Sequence, residues 1–212
     1  MLKSLQKKQQ KNTVFLHWFL NKIIFKLICL VLVMRIFIAI ESSEHVKSKI
    51  FHESETLQKK NFFKGKFVDK KNLHFTLKFL GEISEEKLGD IEKKLKEIKF
   101  NRFECEVGKA GVFDSEKHIR TIWVGLISDK LKELEKKISE KLSEFSKNSK
   151  EFSSHITLAR VKSVINKENL VKHIRGMHFK NLKFEVNEFL LMKSELTEFG
   201  PIYRIIERFK LV

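Results

Sequence analysis

Residues 74–81 read HFTLKFLG, and a related stretch, HITLAR, occupies residues 155–160. Each is an apolar segment typical of a buried β-strand, and each begins with a histidine followed two positions later by a threonine. Side chains alternate between the two faces of a strand, so each histidine lies on the same face as its threonine. Two such pairs predict two equivalent strands that face each other across one cleft.

The order of elements around these stretches repeats along the chain. A strand, a helix, the histidine strand, a second helix and another strand are predicted twice between residues 34 and 212. The registers agree, since His74 and His155 are 81 residues apart, as are Phe103 and Phe184. An internal repeat of this kind predicts two lobes related by a pseudo-two-fold axis, with the histidine strands at the centre.

Hydrophobic periodicity predicts the individual elements. Apolar residues at spacings of three and four indicate amphipathic helices, several of which begin at a serine N-cap. The short connections and the strand patterns favour an α+β fold with largely antiparallel sheets and the helices outside. The predicted strands are 35–40, 71–80, 103–113, 120–126, 151–161, 182–194 and 202–212, and the predicted helices are 42–60, 84–98, 128–145 and 166–174.

Composition indicates an intracellular protein with an anionic partner. The chain has 43 Lys and Arg against 27 Asp and Glu, a formal net charge of +16. Such an excess suggests nucleic acid or a membrane surface, although compositional bias explains it equally well. The two cysteines, Cys29 and Cys105, are in no zinc-binding spacing, so we predict free thiols in a reducing compartment.

Residues 1–33 differ from the rest of the chain. Residues 14–33 form an apolar run of about the length of a membrane span, but two lysines interrupt it and no signal-peptide cleavage pattern follows. Three interpretations of this segment stay open. It is translated from an upstream start, so that the functional chain begins at Met34; it is a membrane anchor or a helix that lies on the membrane surface; or it is a structured helix of the domain. We therefore divide the chain into an N-terminal extension, residues 1–33, and a two-lobed domain, residues 34–212.

Paired histidines suit the cleavage of a phosphodiester. In-line displacement needs a base for the attacking water and an acid for the leaving oxygen, and imidazole serves both roles near neutral pH. His74 and His155, one from each lobe, can flank one phosphorus atom. Thr76 and Thr157 can then bond its non-bridging oxygens. Arg160 lies five residues after its histidine, so it needs a twist or bulge to reach the same face. No carboxylate cluster accompanies the histidines, so no catalytic metal is predicted.

The segments MRIFIAIE, NLHFTLKFLGEI, AGVFDSEKHIRTIWVGL, SSHITLARV and KSELTEFGPIY together resemble the two-histidine phosphoesterase superfamily. Within it they are most similar to the RNA 2′,3′-cyclic phosphodiesterases, historically called 2′-5′ RNA ligases. That family is characterised by two HxTx motifs, which fall here on His74–Leu77 and His155–Leu158, so Leu77 and Leu158 complete the motifs. The resemblance covers residues 34–212 and leaves residues 1–33 outside.

The resemblance implies an enzyme that opens a terminal 2′,3′-cyclic phosphate on RNA and leaves a 2′-phosphate, with no metal or cofactor. His74 falls on the family's proton donor and His155 on its proton acceptor. The implied substrate-binding residues are Thr76, Thr157 and Arg160.

Two aromatic residues, Phe37 and Tyr203, are candidates for stacking on the terminal base, although plain core packing explains them equally well. The expected partner is RNA with a 2′,3′-cyclic phosphate end, tRNA fragments included, and the expected protein is a cytoplasmic monomer unless residues 1–33 attach it to a membrane. Two alternatives stay open: 2′-5′ RNA ligation by the same residues, and a non-catalytic RNA-binding module. Two intact H-x-T motifs argue against a module that only binds RNA, because binding alone does not need two imidazoles.

Overall fold

The computed structural model describes residues 33–146, 152–198 and 200–212. The predicted N-terminal extension, residues 1–33, therefore lies almost wholly outside the described residues, and the proposed boundary at Met34 stays a prediction. Among the helices of the described ranges, none has both the length and the apolar character that crossing a bilayer requires.

The described ranges fold into nine strands and four α-helices, joined in two places by short 3₁₀ turns. This α+β composition, in antiparallel sheets, confirms the predicted fold class. The strands are β1 Val33–Ile40, β2 Phe63–Phe67, β3 Phe75–Ser84, β4 Phe103–Ser115, β5 His118–Ile127, β6 His155–Val164, β7 Lys183–Val186, β8 Glu188–Thr197 and β9 Gly200–Lys210; the helices are α1 Glu44–Lys59, α2 Leu88–Lys96, α3 Asp129–Lys141 and α4 Lys167–Arg175; the 3₁₀ turns are Lys70–Asn72 and Glu85–Lys87.

The strands form two sheets that share one plan. The first has the order β3-β1-β8-β9 and the second the order β2-β6-β5-β4-β7. Strands β3, β1, β8 and β9 correspond in position to β6, β5, β4 and β7, so β2 is an addition at the edge of the second sheet. The duplication is thus confirmed, but with an exchange: β4, from the first half, lies beside β5, and β8, from the second half, lies beside β1.

One predicted strand is wrong, and one strand was not predicted. The single strand predicted over residues 182–194 is two strands in different sheets, because β7 pairs with β4 whereas β8 pairs with β1 and β9. Asn187 separates them, and its carbonyl oxygen accepts a hydrogen bond from the backbone N–H of Leu211 at 2.9 Å. Strand β2, with the sequence FKGKF, was not predicted, because lysines and a glycine hide its pattern.

Strand alternation orients the first motif. Phe75 and Leu77 point into the core and are buried, so His74 and Thr76 must lie on the opposite face. The second motif behaves in the same way, with Leu158 fully buried. The apolar core thereby fixes the direction of both histidine–threonine pairs.

A methyl group at Gly65 in β2 should destabilise the second sheet. A Cβ placed there would lie 2.3 Å from the carbonyl oxygen of Arg160 in the paired strand β6, and backbone cannot move aside without loss of the pairing. Gly65→Ala should therefore lower the free energy of unfolding by about 1–3 kcal/mol, measured by urea denaturation.

Gly89→Ala is the matched control. Gly89 lies in α2, where an added Cβ would meet nothing within 4 Å, so alanine should leave stability unchanged or raise it by up to about 1 kcal/mol. Equal stability of the two variants would contradict the described pairing of β2 with β6.

Candidate active site

A cavity of about 690 Å³ is lined by residues from both sheets. It is the place where the two histidine strands meet, as the repeat predicted. The motif leucines, Leu77 and Leu158, lie in the core behind it. All seven other residues predicted to act at the site border this cavity: Phe37, His74, Thr76, His155, Thr157, Arg160 and Tyr203.

The same backbone hydrogen bond holds both imidazoles. Nδ1 of His74 lies 2.7 Å from the carbonyl oxygen of Asn72, and Nδ1 of His155 lies 2.7 Å from that of Ser153. A carbonyl oxygen only accepts, so each Nδ1 carries a hydrogen and donates it. Each Nε2 is then left as the nitrogen that can exchange a proton with a substrate.

Aromatic rings pack around His74. The centroid of the Phe37 ring lies 5.0 Å from that of the imidazole, and the Tyr203 ring meets it edge-on at 4.7 Å. Phe37 is only 2% exposed and packs with Tyr203, so little of its surface is open to a nucleobase. This burial argues against the predicted base-stacking role of Phe37 and favours a role in supporting His74.

His155 has its own aromatic support, which sequence reasoning missed. Phe113 meets the imidazole edge-on at 4.9 Å, and Trp123, stacked on Phe113, lies 6.3 Å from it. Both residues belong to the β4–β5 hairpin, which lies far from His155 in sequence. Alternation along a strand could have assigned these residues to a face, but only the pairing of β5 with β6, in which Trp123 lies directly opposite Thr157, places them beside His155.

Burial lowers the pKa of both imidazoles below the ordinary value, because desolvation disfavours the charged form. Each backbone carbonyl that accepts from Nδ1 opposes this effect. The nearby charges differ between the two sites: the carboxylate of Glu41 favours a protonated His74, whereas the guanidinium of Arg160 disfavours a protonated His155. For His74, the charges of Lys47 and of His155 itself act in the lowering direction.

Arg160 reaches the cavity through an irregularity in β6, as the odd spacing required. Thr157 pairs with Trp123 and Ala159 pairs with Ile122, so one extra residue is accommodated between them. The side chain is then held by a hydrogen bond of 2.9 Å from its Nη1 to Oγ1 of Thr121.

Strand β3 has the same irregularity at the matching place. Thr76 pairs with Ala39 and Lys78 pairs with Ile38, so Phe79 takes the position that Arg160 has in the second motif. Phe79 lines the cavity and is 67% exposed. Five residues after its histidine, one lobe therefore presents an aromatic ring and the other a guanidinium.

Within residues 33–146, 152–198 and 200–212, no three His, Cys, Asp or Glu side chains are grouped so as to hold a metal ion. Cys105 is a buried free thiol, and burial raises its pKa to about 11. Cys29 lies outside the described residues.

Comparison with known proteins decides the family. Residues 40–123 and residues 124–203 each match the family described as LigT like Phosphoesterase. The chain belongs to the LigT-like phosphoesterase family. The two successive matches agree with the duplicated plan of the LigT-like fold, and the paired HxTx motifs fall one in each matched segment.

Two curated relatives of this LigT-like phosphoesterase align along nearly their whole length. The RNA 2′,3′-cyclic phosphodiesterase of Methanocaldococcus jannaschii is 37% identical over 178 residues, which are 82% of this chain and 99% of the relative. That of Archaeoglobus fulgidus is 34% identical over 182 residues, 84% of this chain and 100% of the relative. The predicted family is thereby confirmed.

Solved structures share the fold. A crystal structure of a Thermus thermophilus protein matches with a TM-score of 0.71 and 26% identity, covering 84% of this chain and 98% of the other. Escherichia coli LigT in its apo form matches with a TM-score of 0.71 and 24% identity, covering 85% of this chain and 99% of LigT. These likenesses confirm the two-lobed α+β architecture.

The burial of the two imidazoles should make the fold less stable in mild acid. In the unfolded chain a histidine takes up a proton near pH 6.5, whereas burial lowers the pKa of His74 and His155 in the folded chain. Their contribution is therefore fully present above about pH 6.5 and is lost as the pH falls below it. Urea denaturation at about pH 7.5 and about pH 5.5 measures the loss.

His74→Gln and His155→Gln should each reduce this pH dependence, because each removes one buried imidazole. His52→Gln, at an exposed position on α1, is the control and should leave it unchanged. If the free energy of unfolding of the two site variants depends on pH as steeply as that of the control, burial of His74 and His155 is not the cause.

Proposed function

We propose that this phosphoesterase opens terminal 2′,3′-cyclic phosphates on RNA and leaves a 2′-phosphomonoester. The observation that carries the proposal is the pair of imidazoles on one cavity, each with Nδ1 bound to a backbone carbonyl and Nε2 left for proton transfer. The name RNA 2′,3′-cyclic phosphodiesterase, carried by curated relatives at 30–37% identity, supports this choice of substrate.

In the proposed reaction a water molecule attacks phosphorus in line with the leaving O3′. Nε2 of His155 accepts a proton from the water as the new P–O bond forms. Nε2 of His74 donates a proton to O3′ as the old P–O bond breaks. Water oxygen thus ends on the 2′-phosphate and O3′ ends as a hydroxyl, while solvent returns the two histidines to their starting states.

The neighbouring charges favour this assignment of roles over the reverse. Glu41 favours the protonated form of His74, as an acid requires, and Arg160 favours the neutral form of His155, as a base requires. Both imidazoles donate to a backbone carbonyl, so this hydrogen bond does not distinguish them. Burial, the largest effect at both sites, is deeper at His74 and lowers its pKa against the acid role, so the assignment rests on the charges of Glu41 and Arg160. The bound phosphate anion favours protonation of both rings and offsets part of the effect of burial.

Thr76 and Thr157 hold the non-bridging oxygens of the phosphate in this proposal. Both hydroxyls lie on the cavity side of their strands, two residues after the histidines. Arg160, already fixed by Thr121, adds positive charge on the side of the incoming water. Tyr203 and the exposed ring of Phe79 are then the aromatic surfaces available to the terminal nucleoside.

The same residues could run the reverse reaction, in which a 5′-hydroxyl replaces water and a 2′-5′ bond forms. We propose hydrolysis as the main reaction because water is the abundant nucleophile. The choice of tRNA fragments, the monomeric state and the cytoplasmic location remain predictions from the resemblance. The deciding assay is incubation with an oligonucleotide that bears a 2′,3′-cyclic phosphate, followed by identification of the product end.

Loss of either imidazole should slow turnover far more than it weakens binding. His74→Ala and His155→Ala should each lower kcat by roughly 10²–10⁴, the usual scale for a general acid or base, with KM for the cyclic phosphate changed much less. The double variant should lose less than the product of the two effects, because the histidines act as a unit. Near wild-type kcat in either single variant would remove that histidine from the mechanism.

The pH dependence of kcat/KM for the wild-type enzyme is a second test of His74 and His155 as a paired acid and base. Above both pKa values no acid is present, and below both no base is present, so kcat/KM should be bell-shaped. Burial lowers both pKa values, so the maximum should lie below about pH 6.5. A rate that is flat from about pH 5 to about pH 8 would contradict a paired acid and base.

Activity on the cyclic phosphate should survive treatment with EDTA. The expected chemistry uses only the two imidazoles and the groups that bind the phosphate, so a chelator has nothing essential to remove. Steady-state rates with and without EDTA, after dialysis, measure this. Loss of activity followed by rescue with a divalent cation would overturn the metal-independent mechanism.

A further inference from the structure

Lys66 is a cationic residue of the cavity to which the proposed reaction assigns no role. It belongs to β2, the strand that the second sheet has and the first sheet lacks. It lies directly opposite Arg160 in the β2–β6 pairing and lines the cavity, where it is exposed. The added strand thus places a second basic residue beside the arginine of the second motif.

The ammonium group of Lys66 extends to the opposite sheet. A Cβ placed at Gly200, at the start of β9, would lie 2.9 Å from Nζ of Lys66 and 3.4 Å from its Cε. Gly200 has a φ of +131°, which side-chain-bearing residues rarely adopt, so the backbone conformation favours glycine there. The lysine therefore crosses from the second sheet to the β8–β9 hairpin of the first.

The reacting phosphate has other ligands. Thr76 and Thr157 flank its position, and the guanidinium of Arg160 is held towards β5 by Thr121. The ammonium of Lys66 lies instead beside Gly200 of β9, in the opposite sheet. A cation placed there suits a second anionic group. In an RNA substrate the nearest one is the phosphodiester on the 5′ side of the terminal nucleotide.

The charges around the cavity favour such an anion. Among the described residues, the lining of the cavity contains three basic side chains and two acidic ones. The basic residues are Arg35, Lys66 and Arg160, and the acidic residues are Asp69 and Glu82. Glu82 forms an ion pair with Arg35 at 3.4 Å, and Arg160 is held by Thr121. Lys66 adds a third basic side chain to the lining, on the added strand, and this side chain reaches across the cavity.

We propose that Lys66 binds the phosphodiester that joins the terminal nucleotide to the one before it, an inference that rests on the proposed function. Only an RNA chain carries this group, and a nucleoside 2′,3′-cyclic monophosphate lacks it. Lys66 thereby makes the enzyme prefer RNA ends over cyclic mononucleotides. The preference is built into β2 and is separate from the catalytic pair.

The test compares a diadenylate that ends in a 2′,3′-cyclic phosphate with adenosine 2′,3′-cyclic monophosphate. Lys66→Gln should raise KM for the dinucleotide by about 5- to 10-fold with little change in kcat, and should change KM for the mononucleotide by less than about twofold. The slope of log kcat/KM against log salt for the dinucleotide should become shallower by about 0.7, the value for one phosphate contact on a single strand.

Two further variants make the comparison specific. Lys66→Arg keeps the charge and should retain most of the preference for the dinucleotide. Lys64→Gln removes a lysine from the same strand, two residues earlier and outside the cavity lining, and should leave both substrates unaffected. If Lys64→Gln matches Lys66→Gln, the effect is general electrostatics and the proposal fails.

Equal losses on both substrates in Lys66→Gln would overturn the proposal, because Lys66 would then act on the reacting phosphate or on the fold. Unchanged kinetics on both would also overturn it. If the wild-type enzyme turns over neither substrate, the proposed function fails separately. Binding of a 5′-fluorescein diadenylate with a terminal 2′-phosphate, measured by anisotropy, then decides: weaker binding by Lys66→Gln than by Lys64→Gln supports the contact, and equal binding rejects it.

Discussion

The exchange of strands between the two halves is the constraint on which the site depends. Strand β4, from the first half, completes the second sheet, and β8, from the second half, completes the first. Neither sheet is whole without a strand from the other half, so the chain crosses between the sheets several times and one apolar core packs against both. These crossings and the shared core hold the two histidine strands at a fixed separation. The proposed reaction at one phosphate requires this, since a displacement of about 1 Å can cost 10²-fold in rate.

The two lobes have nearly the same backbone arrangement, but some of the side chains that face the cavity differ between them. The backbone hydrogen bond to each Nδ1 and the irregularity after each threonine are the same in both lobes. The side chains five residues after each histidine differ, being Phe79 in one lobe and Arg160 in the other. A symmetric pair of imidazoles would have equal pKa values in isolation, whereas in-line displacement needs one acid and one base. The proposed direction of the reaction follows from these departures from symmetry.

Burial of the two histidines restricts the position of their rings but disfavours the protonated, charged form. Aromatic rings on each side restrict the imidazoles and exclude water, which also lowers their pKa values. The buried imidazoles therefore hold a proton less readily than exposed ones do. In the proposed reaction an anionic phosphate between the rings restores part of that proton affinity, so substrate binding helps to prepare the acid.

The sequence by itself determined most of the elements and predicted most of the candidate site. The alternation of Phe75 and Leu77 with His74 and Thr76 fixes which face meets the core, because the period of a strand is a local property. The matched copy 81 residues later then predicts the pairing of the two motifs across a cleft. The odd spacing of Arg160 even predicted an irregular strand, which β6 has.

Only the tertiary structure decided how the strands pair and what surrounds the histidines. The pairing of β8 with β1, the break at Asn187 and the added strand β2 depend on hydrogen bonds between segments that are distant in sequence, which local periodicity does not encode. For the same reason the sequence missed Phe113 behind His155 and Lys66 beside Arg160. Each comes near the site only when another part of the chain pairs with its strand.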